Sequence, residues 1–432
     1  MISERRYLLS AGQLLAGDAV GRLGSLAVRL VAITILASDA YNQFSLLCSI
    51  YLLGQVIAAL NASFSLPAFI TGDSRHDREV IDTVLAMVIV GSAVACAVFL
   101  LQLSQISVSP ATFILFAVAG ILGLVSTAIN NVQIGILLGR GQTASAARND
   151  ALAGILKLVP VLVILPFHWA SPVLLFAIFV GGQVIATVYL EARFHIAGLT
   201  HFRLRNIDFG IFKQFALQAG QLSLITFTGT LLMHVCRILL GWQGGGMLKI
   251  FDIAVVLYSH VSLVLANLVR PIVQIASSDS QIDPFSLIRR STLAILALSI
   301  IAFVLAQVAL DPLRSVAAEF ALGAGFRRGW EIFLDGGYLA VVMSLGAAFD
   351  LGAGFATGVA VARRSLTVPV AAAALACLLG VVIAAATASI ATPLLMTVIL
   401  VVYPVARAGL MWMMELYRRN VHVGRDRQKR IV

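Results

Sequence analysis

Long apolar runs separated by short polar turns dominate the chain. Stretches such as Ala294–Leu310 and Val368–Ala386 are continuously apolar, without the every-second-residue alternation of a membrane-barrel strand. A helix needs about 20 apolar residues to cross the hydrocarbon core. Only helices and closed barrels satisfy their own backbone polar groups in lipid. The pattern therefore predicts twelve membrane-spanning helices, near residues 8–36, 43–70, 80–103, 111–138, 151–167, 172–192, 214–240, 250–275, 291–310, 330–362, 366–390 and 393–414. The fold class expected is all-α and integral to the membrane.

Composition agrees. Of 432 residues, 60% are apolar and 12% charged, whereas soluble domains are about a quarter charged. A soluble enzyme, a disordered chain and a nucleic-acid-binding domain are excluded on this ground. The first stretch holds Arg5, Arg6, Asp18, Arg22 and Arg29, too polar for the apolar core of a secretory signal. The four cysteines lie in apolar runs, with no metal spacing or disulfide framework.

The net charge of +10 is explained by topology. If the N-terminus is inside, 20 of the 30 Lys and Arg fall in inner segments, 4 in outer ones and 6 within spans. That asymmetry follows the positive-inside rule. It places both termini in the cytoplasm, with the protein in the inner membrane. Trp169, Trp242 and Trp330 fall at outer boundaries and Trp412 at an inner one. The basic stretch 415–432 is expected to lie on anionic lipid heads, so the partners are membrane lipids and not nucleic acid.

A long basic loop, 193–213, divides the chain into an N-terminal unit of six spans (1–192) and a C-terminal one (214–414). Short basic turns recur after spans four and ten, as Gly139-Arg140-Gly141-Gln142 and Ala362-Arg363-Arg364-Ser365. Paired halves of this kind suit a transporter that rocks about a central cavity.

A charge at the centre of a span costs roughly 2.5–3.5 kcal/mol, so the charged positions there are candidate chemistry. On span one, Asp18, Arg22, Ser25 and Arg29 share about 60° of the helix wheel. They read as a charged stripe on a water-filled cavity. The plainer alternative is an Asp18–Arg22 pair that only packs, with Arg29 reaching the surface. Span eight carries Asp252, His260, Asn267, Arg270 and Gln274 on one arc. Arg270 and His260 are candidates for the cavity, and Asp252 is expected to sit at the outer end in water. Lys157 precedes the helix-kinking Pro160 by three residues. Arg237 and Arg407 are further cations. Asp350, Glu331 and Asp335 are read as interfacial. Cations outnumber anions in the spans, so a shared cavity would be positive and suited to phosphate oxygens. Substrate-binding candidates are Arg22, Arg270, Lys157, Arg29 and Arg237. Asp18 and His260 are candidates for ion coupling. No catalytic group, metal site or cofactor is expected. The phosphate-binding loop of ATPases, a zinc motif and a large outer loop are absent from the sequence, so an enzyme is not expected.

Three stretches carry a resemblance. Ile35–Thr71 reads ILASDAYNQFSLLCSIYLLGQVIAALNASFSLPAFIT, Val235–Ser277 joins VCRILLGW to FDIAVVLYSHVSLVLANLVRPIVQIAS, and Thr357–Val368 reads TGVAVARRSLTV. They resemble, in turn, the first-to-second-span region, the start of the second half and the basic turn after span ten of polysaccharide flippases. These flippases belong to the multidrug/oligosaccharidyl-lipid/polysaccharide exporter (MOP) superfamily. The resemblance implies a MATE-like fold of two six-helix bundles around a central V-shaped cavity. It implies inward-to-outward translocation of a polyprenyl-pyrophosphate-linked oligosaccharide for surface polysaccharide, with the polysaccharide polymerase machinery as a candidate partner. In the related peptidoglycan-precursor flippase, arginines on spans one and eight matter, and Arg22 and Arg270 occupy those spans here. The alternative is a cation-coupled exporter of drugs or small molecules with the same fold.

Overall fold

The computed structural model describes residues 4–106, 108–164, 171–197, 199, 202–243, 246–259, 324–362 and 365–429, with isolated positions between 293 and 312. Among these residues all regular structure is helical. Eight helices coincide in order with spans one to eight: α1 (Glu4–Ile35), α2 (Ser38–Ala59), α3 (Ser74–Leu103), α4 (Pro110–Gly139), α5 (Thr143–Ile164), α6 (Pro172–Phe194), α7 (Phe209–Gln243) and α8 (246–259). The last three described helices, α9 (Ala324–Ala362), α10 (Thr367–Ala386) and α11 (Pro393–Lys429), take the places of spans ten to twelve.

The starts are encoded locally. Ser109 and Ser171 accept hydrogen bonds from the amides of Thr112 and Leu174, both at 3.2 Å. Each is followed by a proline whose missing N–H costs nothing at the first helical position. Asp73 caps α3 through the amide of Arg75. One departure is the end of α2, where Leu60 and Asn61 are both left-handed at φ 47°. Asn tolerates that region, while Leu does so at an energetic cost.

Eight described helices are long and apolar enough to cross a membrane. Their outer faces are hydrocarbon. Val90 is 65% exposed and Leu101 67% exposed, and Ile114, Leu115, Val118 and Leu122 form a similar stripe on α4. Surface of that kind suits acyl chains and not water. α1 and α5 are not among the eight. They carry charges, and they pack against one another.

Helices α1 to α6 pack largely among themselves, and α9, α10 and α11 pack with one another and with α7. α7 also runs along α2 and α3. It therefore faces both sets and lies where their cavities meet.

Candidate functional site

The α1–α5 crossing sets the geometry. A Cβ built on Gly24 would lie 2.1 Å from the carbonyl oxygen of Gly154, and one on Gly154 2.2 Å from that of Val20. Gly17 and Gly21 face Ala147 and Asp150 in the same way, at 2.3 and 2.7 Å. No side chain fits at this seam, so the backbones touch. The approach offsets the burial of a charged helix with close van der Waals packing, as small-residue seams do in membranes.

The same crossing turns Arg22, Ser25 and Arg29 of α1 and Lys157 of α5 into one cavity of about 370 Å³. Lys157 Nζ donates to Ser25 Oγ at 3.1 Å. Its stem lies across α6, where a Cβ on Gly182 would meet Lys157 Cγ at 2.5 Å. The Phe179 ring of α6 lies 5.4 Å from Lys157 Nζ and 5.5 Å from Arg29 Cζ. A ring face carries negative charge density, so one phenyl group supports two cations. Tyr51 holds that ring edge-on, with centroids 6.1 Å apart. Its hydroxyl lies 3.2 Å from Thr127 Oγ1, which also accepts from Gln55 at 2.9 Å. Arg22 Nε pairs with Asp18 at 2.9 Å. Among the described residues, Arg29 makes no ion pair.

A fourth cation enters from α7. Arg237 lines the cavity and is otherwise buried, its Nε 2.7 Å from Asp252 of α8. Asp252 also accepts from Tyr41 Oη at 2.7 Å and from Ser45 Oγ, both on α2. Arg237 Nη1 reaches Ser49 Oγ at 3.5 Å, and that oxygen lies 2.7 Å from His234 Nδ1. Lys249 Nζ donates to the Leu36 carbonyl at 2.8 Å. This dry network ties α2 to α7 and α8 at the end where α1 gives way to α2.

The cavity wall thus holds Arg22, Arg29, Lys157 and Arg237 against Asp18 and Asp150. Its field is positive, and low-dielectric walls concentrate such a field. All four cations are hydrogen-bond donors only. The arrangement can hold an anion rich in oxygen acceptors.

A second cavity, of about 450 Å³, lies between α7 and α8 and the last helices. Arg407 Nη1 contacts Asp350 at 3.2 Å and its Nη2 donates to Thr357 at 3.1 Å. Thr230, Met233 and Ser259 line both cavities.

Of the residues expected from the sequence, Arg22, Arg29, Lys157, Arg237 and Asp18 come together in the first cavity. Arg270 and His260 lie outside the described residues. Two readings change. Asp252, expected in water, is 2% exposed, because Arg237 and two hydroxyl groups replace its hydration. Asp350, read as interfacial, faces the second cavity with Arg407. Arg29 lines the cavity, as the charged-stripe reading has it, and not the surface of the plainer alternative. Its guanidinium stays beside Phe179. The sequence reading missed Phe179 and Asp150. Asp150 precedes Lys157 by seven residues, two helical turns on one face, and that spacing could have found it. Phe179 lies in an apolar run and carries no such signal.

No family model matches the chain, and no curated protein matches it in sequence. Solved structures do match in fold. A MATE protein in complex with MaL6 superposes with a TM-score of 0.65 at 14% identity, covering 96% of each chain. An outward-facing multidrug resistance MATE family transporter of the MOP superfamily gives 0.61 at 14% identity, over 95% of this chain and 96% of that one. A MOP superfamily transporter from Pyrococcus furiosus Vc1 (DSM3638), described as having a binding pocket of reverse polarity that suggests a different function, gives 0.63 at 14% identity over 96% and 95%. Identity this low speaks to architecture alone: the chain is a multi-pass, all-α membrane protein with the fold of MATE transporters of the MOP superfamily.

Proposed function

We propose that this chain is a transporter of an anionic, lipid-linked cargo, a polyprenyl-pyrophosphate-linked oligosaccharide, which it moves between leaflets by alternating access. The observation that carries the reading is the convergence of Arg22, Arg29, Lys157 and Arg237 on one cavity. A drug exporter for organic cations would need carboxylates to prevail there. Arginine forks bind phosphate oxygens in pairs, and the apolar outer faces of the helices leave an isoprenoid tail in the bilayer. A solved MOP superfamily transporter of similar fold is described as having a binding pocket of reverse polarity that suggests a different function, which supports taking pocket charge as the guide to cargo. The same reading places the protein in the inner membrane with cytoplasmic termini, beside the polymerase that uses its product.

The test is surface glycan output in cells carrying Arg29→Gln or Lys157→Met, with protein level in the membrane as the control. Loss of output at normal protein level is expected. Full output from both variants overturns the assignment. Resistance to organic cations that falls in these variants, with glycan unchanged, would instead favour the multidrug exporter.

A further inference from the structure

We propose that the second cavity is a subsite for an uncharged, hydroxyl-rich group, the first sugars of the cargo whose phosphate occupies the basic cavity. The inference rests on the transport reading above and assigns the part of the cargo that reading leaves unplaced.

The argument is a count of hydrogen-bond donors and acceptors. Each hydroxyl has one proton to give and two lone pairs to receive with. In the second cavity the protons of four hydroxyl groups are already committed. Thr226 Oγ1 donates to the Leu222 carbonyl at 3.2 Å, Thr230 to that of Thr226 at 3.0 Å, Ser259 to that of Val256 at 2.7 Å and Thr357 to that of Ala353 at 2.7 Å. Asn61 directs its amide nitrogen to Ser223 and Thr226, at 3.4 and 3.2 Å, which leaves its carbonyl oxygen. Arg407 neutralises Asp350 and fills one lone pair of Thr357.

The wall that remains therefore accepts hydrogen bonds without carrying net charge. Arg407 keeps N–H groups to give, its Nε being without a hydrogen-bond partner, but Asp350 offsets its charge, so among the described residues neither an anion nor an ammonium ion finds an uncompensated countercharge. A polyol has hydroxyl protons to give and no charge to balance, so it fits. The basic cavity is the reverse, with four cations against two carboxylates. Thr230 and Ser259 line both cavities, so a sugar bonded to a phosphate can bridge them with each end facing its complement. The volume of about 450 Å³ is in the range of small-ligand sites.

The experiment measures binding to purified full-length protein in nanodiscs. Three short-chain probes are used: a polyprenyl pyrophosphate, the same lipid bearing one hexose, and that glycolipid with its hexose hydroxyls methylated. Wild type should bind the hexosyl probe about threefold to tenfold more tightly than the other two, as one or two hydrogen bonds would give. The double variant Thr226→Val/Thr357→Val, at two positions that line the second cavity and not the first, should lose that preference and keep its affinity for the bare pyrophosphate, which also reports correct folding. Equal affinity of wild type for hexosyl and methylated probes overturns the subsite. So does an unchanged preference in the double variant. If wild type binds no pyrophosphate probe at all, the transport reading itself fails and the subsite falls with it.

Discussion

Arg237 and Asp252 form a buried ion pair, and its removal gives a measurable energy. The nitrogen and oxygen are 2.7 Å apart, with side chains 4% and 3% exposed. At an effective dielectric of about 20, Coulomb's law gives about 6 kcal/mol at that separation. Desolvation takes back much of this, so replacing both groups by apolar ones of similar size is near neutral, while removing one costs about 3–5 kcal/mol. Asp252→Leu leaves the Arg237 guanidinium facing Arg22, Arg29 and Lys157 across the cavity, with its partner gone. Arg237→Met leaves a carboxylate held by Tyr41 and Ser45 alone. Each single variant is expected to lose about 3 kcal/mol or more, with the cavity's own hydration keeping the first toward the lower end. The double variant Arg237→Met/Asp252→Leu should recover at least half of the larger loss. Thermal unfolding in detergent, followed by size-exclusion profile and scored as a double-mutant cycle, reads the coupling. A double variant no more stable than the worse single one would show that the two groups do not act as a pair. A loss under about 1 kcal/mol for Asp252→Leu would show that the site is wet and the electrostatic reasoning wrong.

Three further outcomes follow. Gly24→Ala brings a methyl group to 2.1 Å from a backbone oxygen, which α1 and α5 can relieve only by separating. A loss of about 1–3 kcal/mol or more should appear as a lower unfolding temperature, and an unchanged one would contradict the seam. Lys157→Met keeps the stem against Gly182 and removes a buried charge, so glycan output should vanish while thermal stability holds or rises. A variant that is inactive and also unstable would make Lys157 structural. Phe179→Leu removes the ring face beneath two cations at 5.4 and 5.5 Å. Pyrophosphate affinity should fall by about 1–2 kcal/mol, or fivefold to thirtyfold, in a titration that wild type passes at the same salt.

Much of this was legible in the sequence because lipid makes the code simple. An apolar run of the right length must be a helix, and the described helices fall where the runs lie. The stripe Asp18, Arg22, Ser25, Arg29 was legible for the same reason, since a helix wheel needs no tertiary knowledge. What was not legible depends on helices far apart in the chain. Asp252 looked wet because its position suggests an interface. Only the fold brings Tyr41 and Ser45, more than 200 residues away, to replace its water. Asp350 looked interfacial until α11 set Arg407 against it. Gly17 and Gly21 stand four residues apart, the spacing of a close helix contact, but spacing names no partner, and only the fold shows it to be α5. The second cavity needed the turn at Leu60 and Asn61, whose positive φ no apolar pattern encodes.

The cations of the first cavity differ in what already holds them. Arg237 is bound to a carboxylate and to the histidine-linked Ser49, and Arg22 to Asp18. Arg29 and Lys157 are held by a ring and a single hydroxyl group. An incoming phosphate gains most from the second pair, because there it displaces no ion pair. It gains least from Arg237, whose release from Asp252 would cost most of the pair's own energy. A carrier must bind its cargo and then let it go, so a site of four unpaired cations would hold a pyrophosphate too firmly to turn over. For the pyrophosphate cargo proposed above, pairing two of the four in advance would lower the affinity toward a level that allows release. Arg237 also belongs to the network that ties α2 to α7 and α8, so any cargo that draws it from Asp252 loosens the joint between the first helices and the later ones.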